Sequence, residues 1–584
     1  MTVALHDLLP AGLRRSWAAD GTCPDLDLYS LFRARRIADP HHTAIIDAKG
    51  ALCYTALDRK VRCLATGLRE LGIGPGDVVG VQLPSGRGAV IADLALAALG
   101  AVALPFPVGR GGGEARCLLR RAEAVAVIAA VEHRGSHHAA ELRDLASGLP
   151  ALRHVIAAGR AGTEPEGTIR LSTLLRSDPA AFAPARPDPD SAARILVSSG
   201  SEAEPKMIAY SHNALAGGRG NFLAALMPGG TRPRCLFLVP LASAFGSSGT
   251  AVTLARHGGT LVLLDHFTPE AALAAVREHR PTHILGVPTM IRMMVDRLEA
   301  ERGYGDTGAA DGDVGAADGR GAGRVPAPTA VILGGAPLDE TTAESAGRAF
   351  GCPVVNLYGS ADGVNCHTGL GATGDTPGGG GGGGGRSGAG IAAGRPDPRV
   401  ADIRIAHAET HAPLPDGQVG EIIARGPMTP MCYVASPDLD ARYRTSGGWV
   451  RTGDLGFIDE DGILRLVGRL KDIVIRGGAN ISPAEVEREL SSHTQVRDVV
   501  CVGVPDELMG ERLAACVVPR GAQSPTLDSL GAHLTRRGLE RRKHPEHLLV
   551  VPELPLTPAG KPDRAALREQ LARSGAGTRA RLSA

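Results

Sequence analysis

Short β-branched runs alternate with amphipathic helical stretches along most of this chain, and no other feature restricts its fold as strongly. A helix predicted over 54–71 places Leu57, Val61, Leu64, Leu68 and Leu71 on one stripe, with Thr55 as its N-cap. A strand is predicted over 78–83, a helix over 89–99 and an extended segment over 101–104. The order recurs at 260–264, 269–280 and 283–286, the middle element opened by Pro269 in its first turn. Repeated β–α–β units imply a layered α/β fold with mostly parallel sheets. Beyond about residue 470 the pattern restarts, with helices predicted over 483–492 and 527–538 and strands over 496–504 and 514–519. The expected organisation is a large multi-layer N-terminal domain over 1–470, a small mobile α+β C-terminal domain over 471–575, and a tail over 576–584.

Two segments break the alternation. Residues 303–325 mix Gly, Ala, Asp and Arg without period, and residues 369–394 contain an unbroken glycine run from Gly378 to Gly385. Neither offers enough apolar surface to offset the entropy of ordering, so both are expected to be flexible surface insertions.

Composition narrows the function. With 63 Lys and Arg against 62 Asp and Glu, the 584-residue chain has no global field for nucleic acid or an anionic membrane. Ten cysteines fall singly, without a C-x-x-C pair, so neither a disulfide framework nor a zinc finger is indicated. The first fifteen residues lack a charged-then-apolar signal pattern. The most apolar stretch, 89–108, carries Asp93, Gly100, Pro105 and Pro107, and reads as a buried helix turning into a strand rather than a membrane span. A cytoplasmic protein without nucleic-acid or membrane partners is expected. Only six of the 63 basic residues are lysines (Lys49, Lys60, Lys206, Lys471, Lys543 and Lys561), so each lysine is informative where an arginine is not.

The stretch Ile195-Leu196-Val197-Ser198-Ser199-Gly200-Ser201-Glu202-Ala203-Glu204-Pro205-Lys206 reads as a strand, a hydroxyl-rich loop with a lysine, and then a helix from His212. Backbone N–H groups, three hydroxyls and a cation in one loop suit a polyphosphate, although the G-x-x-x-x-G-K-[ST] pattern is absent. Downstream come Gly334-Gly335-Ala336-Pro337, Tyr358-Gly359-Ser360-Ala361-Asp362 and Arg451-Thr452-Gly453-Asp454. Gly468-Arg469-Leu470-Lys471-Asp472, Arg476-Gly477-Gly478-Ala479-Asn480 and Pro558-Ala559-Gly560-Lys561 follow. Taken singly, each is an ordinary turn or a solvated loop acid.

In this order they resemble the adenylate-forming (AMP-binding) superfamily of acyl-CoA synthetases, peptide-synthetase adenylation domains and luciferases, over about residues 52–571. The resemblance implies an ATP-dependent ligase that forms AMP and pyrophosphate. A small carboxylic acid attacks the α-phosphate of ATP, and the acyl-adenylate is then taken by a thiol, from coenzyme A or an acyl or peptidyl carrier protein. It implies that Ser198, Ser199, Gly200, Ser201 and Lys206 hold phosphates, that Tyr358, Gly335 and Ala336 meet adenine, and that Asp454 and Arg469 meet the ribose. Asp362 would ligate Mg²⁺, Lys561 would be the mobile catalytic lysine, and Lys471 the hinge before a rotating C-terminal domain. Lys206, Lys471 and Lys561 are half of the lysine inventory, and a guanidinium does not replace a compact ammonium at such places.

The sequence departs from the family pattern at several points. Ala203 and Met207 stand where glycines are usual, Ala242 and Ser243 where an aromatic and a histidine are usual, and Ala361 and Asp362 where threonine and glutamate are usual. These put the natural carboxylate in doubt. Small residues at Ala244, Ser247, Ser248, Gly249, Gly335 and Gly363 favour a bulky or flat acid, such as an aryl or branched acyl group. Two readings stand beside the acyl- or aryl-CoA ligase. One is a free-standing enzyme that loads a carrier protein in specialised metabolism. The other is a repurposed adenylating enzyme that activates another oxyanion such as nitrite, as an ATP-dependent diazotase does. A non-catalytic nucleotide-binding relative is the alternative of a different class. Cys366-His367 suggests a thiol nucleophile without an identifiable base, the Arg536–Lys543 cluster a solvated helix face, and the pairs His41-His42 and His137-His138 surface residues.

Overall fold

A computed structural model describes residues 5–198, 205–305, 325–371, 390–476, 479–506, 508–557 and 561–574. The glycine-rich stretches expected to be insertions, and residues Ser199, Gly200, Ser201 and Ala203, lie wholly or largely outside them.

Two eight-stranded sheets dominate. The first runs, edge to edge, through Asn365–His367, Val354–Gly359, Ala330–Gly334, His283–Gly286, Arg234–Phe237, Thr260–Leu263, Thr43–Asp47 and Gly50–Cys53. It is parallel except at its two edge strands. The second runs through Cys432–Tyr433, Lys206–Ser211, Ala192–Ser198, Val102–Pro105, Val78–Gln82, Ala126–Ala130, His154–Ala158 and Ile169–Arg170. The β–α–β alternation is thus realised as mostly parallel sheets, and the fold class is the expected α/β one.

Between them lie the helices Tyr54–Glu70 and Arg87–Leu99, and one continuous core joins residues of both sheets (Ile45 and Val355 with Leu196 and Ile208) to both helices. Arg87–Leu99 buries Val90, Ile91, Ala92 and every residue from Leu94 to Leu99, which is why it reads as apolar all round. Among the described residues, no helix is long and apolar enough to cross a membrane.

Several local expectations are corrected. Thr55 does not cap the helix Tyr54–Glu70. Cys53 takes that position without a side-chain cap, and the Thr55 hydroxyl donates to Pro40 O at 2.9 Å. No helix directly follows the 198–206 loop. Lys206 opens the strand Lys206–Ser211, which pairs antiparallel with Ala192–Ser198 and only then leads into the helix His212–Ala216. His138 is buried rather than superficial.

A third sheet is wholly antiparallel, in the order Ile391–Gly394, Leu464–Arg469, Val450–Ile458, Gly420–Arg425 and Asp402–Ala406. Beyond Lys471 the chain builds its own sheet around a long hairpin, Val496–Asp506 with Gly510–Pro519, joined by His547–Val550, Val474–Arg476 and Ala479–Ile481. The helices Pro483–Ser491 and Leu527–Arg536 cover one face and Arg564–Arg573 the other. The apolar clusters of this region share no member with the larger cores.

Candidate active site

The cleft begins with a cross-strand pair. Asp454 on Val450–Ile458 sits directly opposite Arg469 on Leu464–Arg469, and Arg469 Nε donates to Asp454 Oδ1 at 2.8 Å. The other carboxylate oxygen, Oδ2, accepts from the Tyr358 hydroxyl, also at 2.8 Å. Asp454 is only 6% exposed, and burial raises its pKa although Arg469 and Tyr358 oppose the rise. Each of its oxygens keeps a further lone pair, so vicinal hydroxyls of a ribose have acceptors here. Burial and the nearby Asp454 charge hold the Tyr358 phenol well above its ordinary value.

Next to this pair lies the turn after strand Ala330–Gly334. Gly334 needs its missing Cβ because Leu357 O would stand 2.7 Å from one. Gly335 follows at φ +83°, a conformation that L side chains rarely adopt, and Ala336 continues the turn. Onto Gly335 folds Lys561 from the far end of the chain, its Cε 3.5 Å and Nζ 4.0 Å from the place of a glycine Cβ. The Lys561 carbonyl accepts from Thr557 N at 2.7 Å. Burial first, and then repulsion from Arg469, lower its pKa from 10.5, while Asp454 opposes the shift. The ion pair from Arg292 Nη2 to Asp498 Oδ1, at 3.0 Å, joins the helix Pro288–Gly305 to the C-terminal sheet.

A second cluster surrounds Asp362. The Tyr433 hydroxyl donates to Asp362 Oδ1 at 2.6 Å, and Lys206 Nζ lies 3.5 Å from the same oxygen. Lys206 Nζ also stands 3.8 Å from the centre of the Tyr443 ring, and Lys471 Nζ lies 5.9 Å from that ring. Lys206 and Lys471 therefore share one aromatic ring. Ser198 faces Lys206 across the hairpin. Among the described residues no group of three His, Cys, Asp or Glu side chains is placed to hold a metal. Asp362 Oδ2 has no partner among them. One free carboxylate oxygen fits Mg²⁺, which takes one or two carboxylates and completes its shell with phosphate and water.

The loop at 240–249 is tied to itself and to Arg219. Ser243 Oγ donates to Pro240 O at 2.7 Å and accepts from Gly246 N at 3.0 Å, so it ties the turn. Gly246 is required there, since a Cβ would meet Pro240 O at 2.0 Å. The loop runs into a wide-pitched π-helical segment, Gly249–Arg256, of the kind found at functional sites.

The lysines selected by scarcity meet at this cleft, and Tyr358 was named from the sequence, but Tyr210, Tyr433 and Tyr443 were missed. The chain has seven tyrosines and these four gather here, so the same scarcity argument would have found the other three. Met207, which stands where the family pattern has a glycine, is buried in a strand. Arg451 does not enter the cleft, because Glu421 Oε2 takes its Nε at 2.8 Å. The Cys366 thiol donates to Gly394 O and burial pushes its pKa up to about 12, so it is no nucleophile at neutral pH. In the basic cluster Arg537 pairs with Glu489, Arg542 with Glu540 and Lys543 with Glu485, as a solvated face does.

Comparison with known proteins identifies the family. Residues 32–434 match the family model described as AMP-binding enzyme, and residues 485–561 that of the AMP-binding enzyme C-terminal domain. The chain is 32% identical over 539 residues to triostin synthetase I of Streptomyces triostinicus, covering 91% of this chain and 92% of that protein. It is 30% identical over 551 residues to the salicyl-AMP ligase / salicyl-S-ArCP synthetase of Mycobacterium tuberculosis, covering 91% and 88%. Among solved structures, ATP-bound MatB from Rhodopseudomonas palustris superposes with a TM-score of 0.77 at 25% identity, covering 94% of this chain and 99% of that one.

Proposed function

The chain belongs to the AMP-binding enzyme family and is an ATP-dependent ligase, and from that premise we propose that it activates an aromatic carboxylic acid as its acyl-adenylate and passes the acyl group to the thiol of coenzyme A. The observation that carries this reading is the seat of Lys561 on Gly335, beside the Tyr358–Asp454–Arg469 cluster. A carboxylate oxygen bonds to the α-phosphorus as the bond to pyrophosphate breaks, and Lys561 neutralises the negative charge that builds there. Asp454 and Arg469 hold the ribose, Tyr358 with Gly335 and Ala336 the adenine, and Ser198, Ser199, Gly200, Ser201 and Lys206 the departing phosphates. Asp362 would hold Mg²⁺, which supplies charge neutralisation at the phosphates when bound. Lys471 is the pivot about which the C-terminal domain leaves once adenylation is complete. The thiolate then attacks the acyl carbon and AMP departs.

An aromatic acid is supported by the small side chains of the 240–249 loop and by the name of the salicyl-AMP ligase relative. That relative also favours a second reading of the acceptor, the pantetheine arm of a carrier protein. Purified enzyme given ATP, Mg²⁺ and a panel of aromatic and aliphatic acids is expected to release pyrophosphate with aromatic acids and to form acyl-CoA. Carrier acylation without acyl-CoA replaces the acceptor, and absence of pyrophosphate release with every acid overturns the proposal.

A further inference from the structure

Tyr433 is held at its backbone, its ring and its hydroxyl. It is 3% exposed and lies on the short strand Cys432–Tyr433, which pairs antiparallel with Lys206–Ser211. Its N–H donates to Asp440 Oδ1 at 3.0 Å, and the same oxygen lies 2.9 Å from Arg444 Nε. The Arg444 guanidinium carbon and Lys206 Nζ each stand 5.4 Å from the centre of the Tyr433 ring. A ring held this way delivers its hydroxyl to one place, Asp362 Oδ1, at 2.6 Å. Such a short separation is typical of a hydroxyl donating to an ionised carboxylate.

The turn that carries Asp362 is shaped to the same segment. Gly363, at φ +104°, has no room for a side chain, because a Cβ would stand 2.5 Å from Pro430 Cδ and 3.3 Å from Thr429 Cα. The chain leading to Tyr433 thus packs directly on the residue after Asp362. The backbone is fixed separately. The Tyr210 hydroxyl donates to Ala361 O at 2.8 Å, and Asp362 N donates to Ser360 Oγ at 3.1 Å. Tyr433 and Lys206, whose Nζ lies 3.5 Å away, both converge on Oδ1 of the carboxylate. Among the described residues Oδ2 alone is left for a ligand.

We propose that Tyr433 is a positioning residue of the metal site, its hydroxyl holding Asp362 Oδ1 so that Oδ2 is the oxygen presented to Mg²⁺. The assignment rests on the reading of Asp362 as the Mg²⁺ ligand given above. Mg²⁺ demands near-ideal octahedral geometry, which a freely turning carboxylate supplies poorly. Lys206 cannot keep the carboxylate in place through the reaction, since it is the lysine that serves the departing phosphates. The phenol has no such second duty and acts through Asp362. Hydrogen-bond partners of ligating carboxylates are commonly worth about 10–100-fold in metal affinity.

Tyr433→Phe keeps the ring and removes only the hydroxyl. The free Mg²⁺ that gives half-maximal ATP–pyrophosphate exchange is expected to rise about tenfold, with KM for the acid within about twofold of wild type. Calorimetric titration with α,β-methylene-ATP, without acid, reads the same site in the absence of turnover. Affinity in excess Mg²⁺ is expected to fall about fivefold or more in the variant, while affinity in EDTA stays within about twofold. Asp362→Asn is expected to abolish the metal dependence of that affinity, and adding Tyr433→Phe to it should change nothing further. If Asp362→Asn keeps the metal dependence, the reading of Asp362 falls and this one with it. If Asp362→Asn loses it but Tyr433→Phe titrates as wild type, or weakens binding equally with and without metal, the positioning role is overturned while Asp362 remains the ligand.

Discussion

Lys561 and Gly335 lie more than two hundred residues apart in sequence, yet the lysine side chain closes over the glycine with its Cε 3.5 Å from where a Cβ would stand. The glycine is explained by its φ of +83°, while the lysine stem lies at ordinary contact distance from the place of a Cβ. Gly335→Ala therefore puts backbone strain of roughly 1–3 kcal/mol into the turn on which Lys561 rests. A fall of tenfold or more in the rate of pyrophosphate release, with thiol transfer from a preformed acyl-adenylate less affected, is the expected kinetic outcome.

The pH dependence follows from Lys561. Its pKa is lowered from 10.5 by burial and by Arg469, so the ammonium needed at the α-phosphate is lost as pH rises through a value below 10.5. The same shift makes its buried charge a cost to folding below that value, relieved as pH rises toward 10.5. The alkaline limb of the kcat/KM profile for adenylation should fall at a lower pH than an exposed lysine would give. In Lys561→Met, thermal stability at neutral pH should be equal or higher; a clear loss would contradict the assignment of strain to this charge.

Tyr443 is shared by Lys206 and Lys471, with ammonium-to-ring distances of 3.8 and 5.9 Å. Replacing the ring in Tyr443→Leu removes a contact worth about 0.5–2 kcal/mol per cation. The expected result is a three- to tenfold rise in KM for ATP, measured by pyrophosphate release at saturating acid. Tyr443→Phe, which keeps the ring, should recover most of it.

Arg292 reaches Asp339 at 3.6 Å and Asp498 at 3.0 Å, and the second pair crosses between the large sheets and the C-terminal sheet. Half-exposed ion pairs contribute about 0–1 kcal/mol and are screened by salt. Arg292→Ala should slow adenylation by no more than about fivefold, and wild-type adenylation should show a modest salt dependence that the variant lacks.

How far the sequence speaks for this cleft depends on the residue. The β–α–β order was readable because apolar spacing and helix-opening residues are local signals, and the helix opened by Pro269 appears as expected, with Thr268 as its cap. The antiparallel strand Lys206–Ser211 was not readable, since strand direction is decided by partners elsewhere in the sheet. The hairpin strand Val496–Asp506 continues through Pro505, where local propensity would have stopped it, because Gly510–Pro519 pairs along its length. Lys561 and Lys206 stood out because lysine is rare here. The contact of Tyr433 with Asp362 was not readable, since the two lie 71 residues apart and meet only through the fold.

The most direct test of the account is Lys561→Ala assayed in two half-reactions. The account predicts that acid-dependent ATP–pyrophosphate exchange falls at least a hundredfold, while transfer from a supplied acyl-adenylate to the thiol stays within a few-fold of wild type. Unchanged exchange in that variant would contradict it, because the lysine seated on Gly335 would then have no part in adenylation.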